Sequence, residues 1–480
     1  MHHYLTLLIV SPLVGAVLVR SLPARLAQGI ARCVVIAVGA ASVPLWSWYR
    51  PTNPDFQLSE RLSIAPRLGI EYGVGLDGIG LAFVWFAGAV CLAAMWMPAP
   101  ESDTSRRPHF SWILAHYSAL LGGVLATSSF LFALAWVVAI ATLWPLCARR
   151  EDGSRVDATR RWVLFGLTRA RRSVSPVAVL LLTTIVAKMG VYGAMRFGLP
   201  LLPAVAPSVA HRVPGWALGV ALAAAARAGW TSRWVRAVAY VCLAQAAIAI
   251  AVFASLTPLG ISSGIRLTIL YGLCTTAALV ATYASVAVPL GARASSLRMA
   301  LSPMVAVFLS VATIVGGLPA VIASASESVS ALWSVGGVAA TVVSLALLVV
   351  AGRLALAAPM EGAPALARTR RPVGALAVAA TLASLGVWVA MNPAPVEQVL
   401  RVPALKLAAR VDARYQSEFV AACDTTVTPE MKAASPAAQF LAAAPCGPDG
   451  KPLDGSVSTS SGSAVTAPIA GGIVAGSVVR

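Results

Sequence analysis

An all-α, polytopic transmembrane helix bundle is the fold class this sequence predicts, on three observations. Of 480 residues, 58% are hydrophobic and only 11% are charged, whereas a soluble domain carries about 25% charged residues. The apolar residues fall in continuous blocks of about 17–25, the length a helix needs to cross a hydrocarbon core. Those blocks do not alternate polar with apolar positions, which excludes a transmembrane β-barrel.

The blocks place about twelve spanning helices, at 4–20, 30–48, 76–97, 110–127, 128–147, 175–197, 214–230, 236–256, 264–288, 300–318, 328–352 and 373–391. The first has no basic region before it and no small-residue cleavage site after it, so it reads as a span rather than a cleavable signal. Arginines gather at every second loop. Arg20, Arg25 and Arg32 follow the first block, and Arg106 and Arg107 precede the fourth. Arg149, Arg150, Arg155, Arg160, Arg161, Arg169, Arg171 and Arg172 fill the segment 148–174. Arg233 with Arg236, Arg293 with Arg298, and Arg353 with Arg368, Arg370 and Arg371 continue the series. Basic loops stay cytoplasmic, so both termini are expected outside, which requires an even number of spans. The setting is then a multi-pass cell inner (plasma) membrane protein of a bacterium. The net charge of +18 is accounted for by these loops. A bilayer is the expected partner, and nucleic acid is not.

Two regions follow. Residues 1–393 form the transmembrane domain, with 148–174 as a basic cytoplasmic loop too charged to span. Within it, 162–167 is a short apolar patch between arginines. It is either a brief amphipathic element on the membrane surface or part of a plain basic loop. Residues 394–480 form a tail. The tail opens on PVEQVLRVPALKLAARVDARY, whose apolar spacing suggests a helix along the bilayer surface. After Cys446 it turns rich in Gly, Ser and Pro, a composition that does not build a core. Cys33, Cys91, Cys147, Cys242 and Cys274 lie in or beside apolar blocks with no metal-ligand spacing, so no metal site is expected. Cys423 and Cys446, in the tail, are able to pair if it faces an oxidising compartment.

Lys188 is the residue that stands out. The chain has four lysines, and the other three, Lys406, Lys432 and Lys451, lie near the C-terminal end. Lys188 sits inside TIVAKMGVYGAMRFGLPLLP, an apolar run. An ionisable residue at mid-membrane costs about 2.5–3.5 kcal/mol on insertion scales, so it turns toward protein or water. Unlike arginine, lysine can release its proton when desolvated. It is therefore either a proton-relay site or a structural lysine paired with a polar neighbour. Glu327 is the only acidic residue between Asp157 and Glu361. Gly317 and Pro319 would interrupt a helix nearby, and a break frees backbone groups to line a cavity. Asp77 opens a helix, where a carboxylate suits the dipole. Arg227 and Arg266 are expected to snorkel from helix ends. Tyr271 is either a hydrogen-bonding member of a relay or a packed tyrosine. The histidines, His2, His3, His109, His116 and His211, read as N-terminal, loop or helix-edge residues. No nucleotide, nucleophile or zinc signature is present, so no cofactor is expected.

Several stretches together resemble the antiporter-like membrane subunits of respiratory complex I and of the related Mrp antiporters, chiefly the chain M or subunit 4 type. Residues 75–80, GLDGIG, resemble G-V-D-G-I-S, and Leu131-Phe132 through Trp136 resemble L-F-x-x-F-W. AKMGVYG with Arg196-Phe197 and Leu199-Pro200-Leu201 resembles L-K-T-x-x-Y-G-L-L-R-F-x-L-P-L, the most specific piece. Arg236 to Tyr240 is similar to K-R-L-I-A-Y, Thr257 to Gly260 to T-P-L-G, Gly317-Leu318-Pro319 with Glu327 to G-x-P-G-x-x-x-F-x-G-E, and Asn392-Pro393 to a terminal N-P. The order is collinear over residues 5–405. The resemblance implies a membrane-arm subunit of a proton-translocating NADH:quinone oxidoreductase, with other membrane subunits as partners and no NADH chemistry of its own. It implies Lys188 as the central relay lysine and Glu327 as the terminal relay carboxylate.

The departures are specific. About two core helices are missing where 148–174 stands. The glutamate expected after L-F-x-x-F-W falls on Val137, the lysine of K-R-L-I-A-Y falls on Val235, and H-G-L becomes Tyr271-Gly272-Leu273. The first half-channel therefore lacks its Glu–Lys pair. This leaves open a non-conducting structural paralogue, or a subunit of a cation/proton antiporter or inorganic-carbon uptake complex.

Overall fold

The computed structural model describes residues 3–147, 176–286 and 372–411, apart from positions 52, 54, 66, 68–69, 98–102, 199, 201–205 and 231–233. The expected spans at 300–318 and 328–352 lie outside the described residues, as do 148–174, Gly317, Pro319, Glu327, Cys423 and Cys446.

The other ten expected spans are all helices. They are α1 (Tyr4–Ser21), α2 (Ala24–Trp48), α3 (Gly78–Ala94), α4 (Asp103–Val124), α5 (Ser129–Cys147), α6 (176–198), α7 (Ala206–Trp230), α8 (Trp234–Phe253), α9 (Pro258–Val286) and α10 (Pro372–Met391). An eleventh helix, α11 (Pro393–Val411), follows the break at Asn392. Among the described residues, six helices are long and apolar enough to cross a membrane by length and composition alone: α1, α2, α5, α6, α9 and α10. The bundle is thus the all-α membrane fold that the composition predicts.

The chain marks the helix starts in ways the sequence shows. Proline occupies the first position of α6, α9, α10 and α11, where its missing N–H costs nothing. Asp77 caps α3 by accepting from Gly80 N at 2.7 Å, and Thr257 caps α9 by accepting from Gly260 N at 2.9 Å. Ser128 accepts from Leu131 N at 3.2 Å at the start of α5.

One element departs from expectation. The segment between α2 and α3, left outside the expected spans, contains an antiparallel hairpin of β1 (Gln57–Ala65) and β2 (Ile70–Leu76). Its register shifts between Gln57 and Glu60 and again between Ser63 and Ala65. The hairpin is tied down at one end of the bundle. Gly75 N donates to Leu125 O at 2.9 Å and Thr127 N to Gly73 O at 3.0 Å, which joins β2 to the α4–α5 turn. Glu60 of β1 accepts from Leu5 N at 2.7 Å and Thr6 N at 3.1 Å. That carboxylate serves the free N–H groups of α1, whose own N-cap, His3, makes no side-chain cap bond. This end gathers the starts of α1, α3 and α5 and the ends of α2 and α4. The arginines 20, 25, 32, 106 and 107 belong to the opposite end.

Burial separates interior from periphery. In the windows of highest hydropathy, α9 is 100% buried and α6 is 78% buried, against 28–33% for α1, α2, α5 and α10. α9 packs on α8, α10, α11 and α3, and α6 touches α3, α5, α8 and α9. α11 docks across the hairpin end, setting Leu400, Ala404, Leu405 and Ala408 against α9 and α3. Its close approach uses Gly78: a Cβ there would overlap the Val399 carbonyl.

Candidate functional site

α6 is not a uniform helix. π-helical turns, Leu182–Val186 and Ala194–Gly198, bracket an α-helical stretch, Ala187–Gly193. π-turns leave backbone groups off the regular ladder and mark functional positions more often than chance. Just before the central stretch, Thr183 and Thr184 donate their hydroxyls to Val179 O at 2.7 Å and Leu180 O at 2.6 Å. Two cations sit on this helix, Lys188 in the central stretch and Arg196 in the second π-turn.

Lys188 is 2% exposed, and its Nζ has no hydrogen-bond partner among the described residues. The thiols of Cys242, on α8, and Cys274, on α9, lie nearby. Thr275, next to Cys274 on α9, donates its hydroxyl to Gln245 Oε1 of α8 at 3.0 Å. The lysine is thus buried where α6 packs on α8 and α9. No described carboxylate is paired with it.

Arg196 lies eight residues further along and, unlike Lys188, is paired. Its Nη1 donates to Asp77 Oδ1 at 3.0 Å and to the Tyr192 hydroxyl at 2.5 Å. Nη2 is 3.0 Å from Asp77 Oδ2, an ion-pair distance outside hydrogen-bonding geometry. The Tyr192 hydroxyl donates to Val124 O at 2.7 Å. The guanidinium also stands 4.9 Å over the Phe56 ring. Asp77 is thus more than a helix cap. It joins the start of α3 to the end of α6, and it brings together two motifs that are 119 residues apart.

Other predicted residues resolve one by one. Tyr271 is buried in an alanine-rich cluster with Ala221, Ala224 and Ala244, and its hydroxyl has no partner among the described residues. Val137, at the position of the expected glutamate, is 60% exposed and faces away from the interior. Arg227 is exposed, as a snorkelling residue is. Arg266 is not: it is buried and pairs with Glu397 of α11 at 3.0 Å, because α11 covers the end of α9 from which it was expected to reach water. His109 and His116 are not edge residues either. α4 begins at Asp103, earlier than the apolar block suggests, which draws the His109 ring into the bundle, and His116 lies inside the expected span on its buried face. The Arg196 and Arg266 partners lie far away in sequence and gave no local signal. His116 carried one: it sits in an apolar run, as Lys188 does.

A cleft of about 200 Å³ opens beside the Asp77–Arg196 pair, lined also by Phe56, Phe197, Pro403 and Lys406. Lys406 Nζ is 2.8 Å from Asp55 Oδ1.

No family model matches the chain. A protein of Picosynechococcus sp. named NAD(P)H-quinone oxidoreductase chain 4 3 is 29% identical over 167 residues, 34% of this chain and 30% of that protein. The NAD(P)H-quinone oxidoreductase chain 4 of Gloeobacter violaceus is 27% identical over 167 residues, 34% of this chain and 31% of that one. The match therefore spans less than a third of the length of these curated relatives. Among solved structures, a chain of respiratory complex I from Thermus thermophilus with bound NADH aligns with a TM-score of 0.63 and 16% identity, over 85% of this chain and 100% of that one. A chain of the Mrp complex from Dietzia sp. aligns with a TM-score of 0.59 and 14% identity, over 91% of this chain and 58% of that one. A chain of the membrane-bound sulfane sulfur reductase, an archaeal respiratory membrane complex, aligns at 0.63 and 15%, over 81% and 76%. The resemblance to antiporter-like, chain-4-type subunits is borne out by these relatives, and the fold by the structures. The chain is a multi-pass membrane protein with that fold.

Proposed function

We propose that this chain is a membrane-arm subunit of a complex I-like NADH:quinone oxidoreductase, and that it moves protons through its interior at Lys188. One observation carries the reading: a fully buried lysine without a hydrogen-bond partner among the described residues, held between two π-turns of an interior helix. An amine in that setting is able to take up and release a proton without first breaking an ion pair. Glu327 is the carboxylate proposed to end the path, with Gly317 and Pro319 opening the helix beside it. Asp77 and Tyr271 are weaker candidates for the path. Neighbouring membrane subunits are the proposed partners. The bacterial inner membrane, with both termini outside, is the proposed setting, and residues 394–480 are taken as a tail whose opening helix, α11, docks on the transmembrane domain.

Lys188→Ala, assayed for proton pumping in the native membrane, tests this. The expected result is a large loss with the subunits still co-purifying. Unchanged pumping with intact assembly would sink the relay role. A scaffold that conducts nothing is the second reading. The outward-facing Val137 favours it, since that face offers no carboxylate to the lysine. The co-purifying subunits decide the complex. NADH- and quinone-reactive proteins support the first reading, and a soluble zinc-type partner supports an inorganic-carbon uptake complex. Cys423 and Cys446 are proposed to pair outside the membrane, so they should resist alkylation until reduced.

A further inference from the structure

His116 lies on α4, fully buried, with its ring against α5. Its Nδ1 is 3.0 Å from Ala139 O and 2.9 Å from Thr142 Oγ1. The Thr142 hydroxyl already donates to that same carbonyl at 2.7 Å. Both groups in front of Nδ1 therefore present lone pairs, so Nδ1 carries the ring hydrogen and the open lone pair falls on Nε2. Nε2 is buried and has no hydrogen-bond partner among the described residues. No charged side chain among them pairs with the ring; its contacts are the carbonyl and the hydroxyl of α5.

Its depth matters as much as its tautomer. A Cβ on Gly190 would meet Trp136, and one on Gly193 would meet Phe132, so α5 and α6 run antiparallel. Counting from that contact puts Ala139 about level with residue 187, beside Lys188, at about 1.5 Å of rise per residue. The ring thus sits at the depth of Lys188 on the α4–α5 side, while the thiols near Lys188 come from α8 and α9 on the other. His109 lies seven residues earlier on the same face of α4, toward the arginine-rich end, and its Nε2 is also buried without a partner.

We propose that His116 is a proton-binding site of this bundle, accepting at Nε2 on the α4–α5 side of Lys188, with His109 marking the approach from the arginine-rich end. The proposal rests on the proton-moving reading above and supplies a protonatable group on the flank where Val137 supplies none. An arriving proton forms an N–H bond at Nε2 and the ring becomes imidazolium. The Nδ1–H stays on Ala139 O, and the Nε2–H bond breaks when the proton moves on.

His116→Asn is the discriminating variant, because the amide nitrogen takes the place of Nδ1 and keeps the α4–α5 bond while removing the lone pair. In the assembled complex it is expected to lower proton movement at least tenfold, with thermal stability and subunit content unchanged. Wild-type proton movement in this variant would overturn the proposal. A second measurement does not depend on transport: 15N NMR of histidine-labelled protein, assigned by substituting the other histidines singly. It should show His116 protonated at Nδ1 and bare at Nε2, gaining a second N–H as pH falls. A neutral ring protonated at Nε2 would overturn the assignment even if the variant is inactive. Lys188→Met separates the two layers: if it too moves protons normally, the transport reading fails, while the NMR result still judges the site.

Discussion

Lys188 and Arg196 stand two turns apart on the same buried helix, and they are treated in opposite ways. Arg196 has a paired carboxylate, a tyrosine hydroxyl and aromatic faces around it. Lys188 has thiols nearby and no hydrogen bond among the described residues. A permanently charged group inside a membrane bundle must be paired, because an isolated buried ion costs more than the fold can bear. A group able to shed its proton does not need a partner. The fold thus uses arginine to fasten α6 and leaves lysine free to change state. Each substitution below tests one half of that contrast.

The largest effect is expected at Asp77. Asp77→Ala removes the partner of a buried guanidinium, which costs about 3–5 kcal/mol. It also deletes the cap of α3, worth about 1 kcal/mol. Thermal unfolding in detergent should show a steep drop or no folded protein. Asp77→Asn keeps the cap acceptor and loses the charge, so its drop should be smaller. Equal losses in the two variants would mean that the ion pair, not the cap, is what matters.

Lys188→Met should go the other way. Replacing an unpaired buried lysine by an apolar chain of similar length should leave stability unchanged or raise it, by up to about 3 kcal/mol on insertion scales. A loss comparable to that of Asp77→Ala would mean the lysine is a structural tie and would end the contrast.

Much of this could be read from sequence, and the exceptions have physical causes. Lys188 announced itself because a lone lysine in an apolar run has few explanations. Asp77 and Arg196 were each visible, but nothing local says that residues 119 apart form one pair. The hairpin was missed because glycine and proline around it outweighed the alternation in QLSERLSIA, and because a two-stranded ribbon gains its stability from what it rests on. Here that is the start of α1, through Glu60, and the α4–α5 turn. His116 was passed over although it lies inside the expected span 110–127, because a single polar residue in an apolar run does not show which face of the helix is buried.

Packing gives a third, smaller test. A Cβ on Gly193 would overlap the ring of Phe132, which itself lies 5.9 Å from the Tyr192 ring and 5.1 Å from that of Phe197. Gly193→Ala should cost about 1–3 kcal/mol by overpacking. Combined with Asp77→Asn, its effect should be less than additive if both loosen the same end of α6. Full additivity would place the two contacts in separate units and weaken the picture of one fastened end.

The smallest effect is expected at the rim. Lys406 of α11 and Asp55 make a 2.8 Å pair, but the Asp55 side chain is 39% exposed. Such a pair is worth about 0.2–1 kcal/mol and is screened by salt, with a Debye length of about 10 Å at 0.1 M. Asp55→Asn should therefore lower the unfolding temperature slightly at low salt and not at all at high salt. Asp77→Asn, its buried counterpart, should keep most of its effect in both conditions, because ions do not reach a pair whose side chains are 8% and 14% exposed. If salt erased both effects alike, the Asp77–Arg196 pair would have to be open to solvent, and Arg196 would no longer differ from a rim cation in the way the contrast with Lys188 requires.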